Sequence, residues 1–253
     1  MPINFTQIIK DSFHFIQNEK QSVIILSALY FFANIAIALL QSSMLPNEVI
    51  ISLTEKQISP AMSEGQAIDL VIFFFLKQFI YIFISAWCLV SIHQISLRHF
   101  NTFQHSFSII TLKRIWGAIL ISFVICIPIF IGLAEAIIAI QQKIQPSIIS
   151  LLAIIIGIGL YIRLCLAPVH YLLTDDTVST CGKTIWHAAI GRVSMLVIFC
   201  LLIYFLIPIA ENFLVSFSTN SIMALITGIM VAFLNIFALI VTYRFYTRFL
   251  PKV

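Results

Sequence analysis

Long apolar runs alternate with short polar stretches along almost the whole chain. A helix needs roughly 20 residues to cross a hydrocarbon core about 30 Å thick with every backbone group bonded internally. Six runs meet that length, at approximately 22–41, 70–94, 115–134, 148–172, 193–210 and 221–246. Three polar connections carry a second pattern. Phe5, Ile9, Phe13 and Ile16 fall at helical spacing, with Gln7, Lys10, Asp11 and His14 on other faces. Phe103, Phe107 and Ile110 repeat it among Gln104, His105, Ser108 and Thr111, and Cys181, Ile185 and Ala189 form a third stripe beside Lys183, Thr184 and His187. Such stripes predict helices lying in the membrane interface.

The order of these segments repeats. Each amphipathic segment leads to a basic residue and then a span: Lys20 before Val23, Arg114 before Trp116, Arg192 before Val193. The second span of each hairpin also ends alike, as WCLVSIHQI, LCLAPVHYL and ALIVTYRFY, a register that makes His93, His170 and Arg244 equivalent. The expected fold is an all-α, polytopic membrane protein: six transmembrane helices with cytoplasmic interfacial amphipathic helices and a threefold internal repeat. Residues 1–253 form a single integral membrane domain, with repeat units 1–97, 98–173 and 174–253.

Composition agrees with this picture. Of 253 residues, 61% are hydrophobic and 9% charged, whereas charged residues make up roughly a quarter of an ordinary soluble domain. The net charge of +4 is spread over short connections, which excludes a nucleic-acid-binding face. Five cysteines fall within or beside apolar runs at spacings that match no zinc or disulfide framework. No cofactor is expected.

Lysine and arginine asymmetry sets the expected orientation. With both termini in the cytoplasm, Lys10, Lys20, Arg98, Lys113, Arg114, Lys183, Arg192, Arg244, Arg248 and Lys252 lie on that side, and only Lys56 and Lys143 fall opposite. The opposite loops would also hold Glu48, Glu55, Glu64, Asp69, Glu135 and Glu211. Tyr and Trp near several span ends, such as Trp116, Tyr171, Tyr243 and Tyr246, suit interfacial zones.

Candidate chemistry is sparse. Lys77 and Arg163 are ionisable residues inside predicted spans, where such groups are costly and often functional. A small transporter would place both on a polar path; the bland alternative is that each side chain snorkels to an interface. His93, His170 and Arg244 would face a common vestibule if the three units surround an axis. Two histidines make a poor metal set, and an arginine opposes a cation, so that group, with Lys113, Arg114, Lys183 and Arg192, fits contact with an anionic lipid headgroup better. Asp175 and Asp176 near His170 resemble an acid/base pair, although a solvated helix start explains the acids simply. Gly157 and Gly159 would permit close helix contact, and Pro128 and Pro208 would kink their spans.

The stretch LCLAPVHYLLTDDTVSTCGKTIWHAAIGRV, residues 164–193, resembles the YciC-like family of bacterial inner-membrane proteins. Leu166, Ala167, Pro168 and Val169 match the first part of its pattern, and Thr184 and Trp186 match the second less regularly. The resemblance implies a six-helix protein of a Gram-negative inner membrane and transfers no catalytic residue. More distantly, the alternation of span and amphipathic segment is similar to membrane domains attached to glycerophosphodiester phosphodiesterases, which hints at lipid-linked work. The expected function is therefore that of a non-enzymatic, multi-pass inner-membrane protein that organises lipids or binds another membrane protein in envelope homeostasis.

Overall fold

The computed structural model describes residues 4–45, 64–98, 109–141, 144–218 and 220–250. Every element in them is a helix: α1 (Phe5–Asn18), α2 (Lys20–Met44), α3 (Glu64–Arg98), α4 (Ile109–Gln141), α5 (Ile148–Leu164), α6 (Ala167–Leu173), α7 (Val178–Ala188), α8 (Val193–Leu201), α9 (Ile207–Ser216) and α10 (Ser221–Phe249). A π-turn, Leu202–Leu206, joins α8 to α9.

Among the described residues, six stretches are long and apolar enough to cross a membrane: Lys20–Met44, Ile72–Leu97, Leu112–Ala136, Ile148–Leu173, Val193–Ser216 and Ile222–Phe249. The short helices α1 and α7 start on side-chain caps. Asn4 accepts from the Thr6 and Gln7 backbone N–H groups, and Thr177 accepts from that of Thr180. These caps satisfy donors that a helix start leaves open.

Consecutive spans pack side by side, and α10 returns to pack along α2, so the six spans close into a ring. At the end that carries both termini, α3, α6 and α10 also meet one another. These are the second spans of the three hairpins, the segments whose ends read alike in the sequence. Apolar burial cannot drive this association inside lipid, because acyl chains are as apolar as leucine; close packing and hydrogen bonds must. Aromatic stacking supplies part of it. Phe245 of α10 stacks on Phe199 with ring centroids 4.4 Å apart and also contacts Phe5 and Phe249.

The α4–α5 contact shows how close the backbones come. A Cβ built on Gly157 would lie 2.8 Å from the Ile129 backbone nitrogen, and one on Gly132 would lie 2.7 Å from the Ser150 carbonyl oxygen. Gly157 therefore does what its position suggested. Gly159 meets nothing within 4 Å, and Gly132 takes the role expected of it. Pro128 sits within an unbroken α4, whereas Pro208 follows the π-turn directly.

Several expectations need correction. The inward face of α1 is Ile8, Ser12 and Phe15, which leaves Phe13 exposed at its margin; the stripe is turned by about one position from the predicted one. Cys181 and Ile185 of α7 and Ala189, which caps it, are fully buried against protein, so this face packs on the bundle and not into lipid. Phe103 and Phe107 lie outside the described residues, as does most of the 42–69 connection. Glu211 is not in a loop. It lies in α9, within the fifth span, and bonds to Asn235 of α10. Tyr243 and Tyr246 are buried hydrogen-bonding residues, not interfacial anchors.

Candidate functional site

The ring of spans encloses a cavity of about 850 Å3. All six spans line it, among them Tyr30, Phe74, Ala118, Cys165, Pro208 and Leu239. Along α3 its wall runs from Phe74 to Leu89, or about 22 Å at a helical rise of about 1.5 Å per residue. That is most of the thickness of a hydrocarbon core. Phe74, Phe75 and Phe130, toward the end away from the termini, lie on this wall and are each about half exposed.

The wall is largely apolar, with a few polar groups held in pairs. Asn235 donates to Glu211 Oε1 at 2.5 Å, and the Tyr30 and Ser85 hydroxyls lie 3.1 Å apart. Tyr81 donates to Asn34 at 2.9 Å, and Gln78 adds an amide. An amide opposite a carboxyl is what a buried acid needs in lipid, because an unpaired polar group there costs several kcal/mol.

Neither Lys77 nor Arg163 lines this cavity. Lys77 lies near the start of the second span, its ammonium 6.0 Å from the Tyr81 ring centroid. Arg163 lies toward the other end of the bundle, its guanidinium 3.6 Å from the Trp186 ring of α7. The Arg163 Nε is buried without a hydrogen bond among the described residues, so the indole face is its principal partner. The two cations occupy opposite ends of their spans and share no path.

His93, His170 and Arg244 do gather at the terminal end, each engaged with its neighbours. The His93 Nδ1 lies 3.1 Å from the Tyr243 hydroxyl, and the His170 Nδ1 lies 2.8 Å from that of Tyr246. Both tyrosines belong to α10. Arg244 lies between Phe15 and Tyr243, its guanidinium 5.3 Å and 5.8 Å from the two ring centroids. None of the three lines the cavity.

The four interfacial cations divide into two kinds. Arg114 donates to the Tyr171 carbonyl at 2.7 Å and to the Thr174 carbonyl, and pairs with Asp175 at 3.0 Å. Arg192 donates to the Phe249 carbonyl at 3.2 Å. Both close off helix ends, where carbonyls otherwise lack partners. Lys113 and Lys183 are exposed.

The turn between α6 and α7 brings together residues that the sequence held apart. His170 Nε2 lies 3.1 Å from Asp176 Oδ2, and Cys181, at the first turn of α7, completes a group whose ligating atoms all lie within 4.8 Å of one another. Burial pushes the Cys181 thiol above its ordinary pKa, opposed by a hydrogen bond with Thr174 and the charge of Arg114. The signal was a His-x5-Asp-x4-Cys spacing, which has meaning only once α6 is known to break from α5 and turn back through a capped α7.

No family model matches the chain, and no solved structure matches it. It is 38% identical to a protein of Haemophilus influenzae over 253 residues, 99% of either chain, and that relative bears the name "Uncharacterized protein". Agreement at this level along the entire length leaves no room for a shared fragment alone, and the chain belongs to the same family as that Haemophilus influenzae protein.

Proposed function

We propose that this protein is a non-enzymatic membrane protein that holds an apolar or amphipathic molecule, such as an acyl chain, between its spans. One observation carries the reading: an 850 Å3 cavity bounded by all six spans, apolar along most of its wall and with a few polar groups. Sites for small hydrophobic molecules have this size and this mixture of lining. A lipid that enters from the bilayer would keep its chain against Phe, Leu and Ile and present its polar end to Gln78, Glu211 and Asn235. Membrane lipids are then the natural partners, with another membrane protein a further one and nucleic acid not expected.

The finer placement belongs to the same proposal. The chain is read as a YciC-like protein of a bacterial inner membrane with both termini in the cytoplasm, from the 164–193 resemblance and the lysine and arginine asymmetry. A transport reading is weaker. The cavity supports it, but Lys77 and Arg163, which were to line the path, stand away from it.

Native mass spectrometry of the gently extracted protein tests the proposal. Ser122 lines the cavity and Leu120 faces outward, 62% exposed. Ser122→Trp should reduce retained lipid relative to wild type while Leu120→Trp leaves it unchanged. Equal retention by wild type and both variants would refute the cavity as a binding site.

A further inference from the structure

The geometry points to a divalent metal site of the zinc class formed by His170, Asp176 and Cys181. The three ligands come from separate pieces of chain: the last turns of the fourth span, the following turn and the first turn of α7. Their ligating atoms already lie within 4.8 Å of one another, with the histidine and carboxylate atoms at 3.1 Å. Zinc bonds of about 2.0–2.3 Å in a tetrahedron set ligand atoms about 3.5 Å apart, so closure asks the thiol to move inward by roughly 1 Å.

Chemistry selects the metal. A thiolate with an imidazole favours zinc and its neighbours over calcium or magnesium, which prefer all-oxygen sets. Binding takes the Cys181 proton to solvent, and the thiolate and carboxylate then offset the charge of a divalent ion. Arg114 lies nearby, but its charge is taken up by Asp175 and two helix-end carbonyls.

The surroundings fit a held histidine. With Nε2 bound to the metal, the Nδ1–H would donate to the Tyr246 hydroxyl 2.8 Å away, which would hold the ring in that tautomer. Metal-bound histidines characteristically have such an outer partner. Three protein ligands leave a fourth position for solvent, toward the partly exposed Asp176. A metal here would fasten α7 to the end of the fourth span and to α10 behind it. This site stands apart from the cavity, and neither inference needs the other.

Cobalt loading of the full-length protein in detergent is the test. Chelator-treated protein given Co2+ should show a thiolate-to-cobalt charge-transfer absorption, and zinc should displace it. Cys181→Ser should abolish that band, while Cys165→Ser and Cys200→Ser, buried thiols elsewhere in the bundle, should keep it. Tyr246→Phe keeps all three ligands and should weaken zinc binding by about tenfold through loss of the outer partner. Because that variant changes affinity and not stoichiometry, it separates a coordinating role from failure to fold. Wild type with no charge-transfer band, or a band that survives in Cys181→Ser, would overturn the site and leave a histidine–aspartate pair beside an inert thiol.

Discussion

Replacing Arg114 by leucine should destabilise the bundle far more than removing its visible salt-bridge partner. The side chain is 19% exposed and donates to the Tyr171 carbonyl, in the last turn of α6, and to that of Thr174, which caps the helix, while its Asp175 partner is fully exposed. Net contributions of hydrogen bonds to charged groups run about 1.5–3 kcal/mol each, and the two are not fully additive, so Arg114→Leu should cost about 3–5 kcal/mol. An exposed ion pair contributes little, so Asp175→Asn should behave as wild type. Arg114→Lys keeps the charge but not the fork, and should fall between. Reversible denaturation in mixed micelles, followed by tryptophan fluorescence, gives the comparison directly. If Asp175→Asn proved as costly as Arg114→Leu, the ion pair and not the helix-end carbonyls would be what Arg114 serves, and the reasoning would fail.

Two further perturbations separate packing from polar pairing. Gly157→Ala places a methyl against the Ile129 backbone and should destabilise by about 1–3 kcal/mol, whereas Gly159→Ala enters open space and should change stability little in the same denaturation assay. Asn235→Leu leaves the Glu211 carboxyl without its amide donor and should cost about 1–3 kcal/mol; Glu211→Gln in the same background should recover part of the loss, and an absence of recovery would show that the pair is not coupled.

The spans were legible because one physical demand, an unbroken apolar helix of bilayer length, writes itself into local sequence. The fourth was expected over 148–172 and is found over Ile148–Leu173. Stripes on the short helices were legible too, but not what they face. Cys181, Ile185 and Ala189 look alike whether turned to lipid or protein, and only the docking of α7 on the bundle decides between them. Glu211 was misplaced because a charge near the end of an apolar run reads as its boundary; its partner Asn235 lies 24 residues away on another helix. The candidate site suffered most. Lys77 and Arg163 stood out by type, yet a cavity is a property of the gap between helices, and its wall is made of ordinary Phe, Leu and Tyr residues. His170, Asp176 and Cys181 fall together only through the break between α5 and α6.

The helix on which the others converge is made after all of them. α10 packs against α1, α2, α3, α6 and α9, all of which precede it in the chain. During synthesis the α4–α5 hairpin can pack before α10 emerges, whereas α1 and α2 gain their principal partner only with it. Ring closure therefore waits for α10, and a truncation ahead of Ser221 would leave five inserted spans without the helix that joins the first span to the fifth.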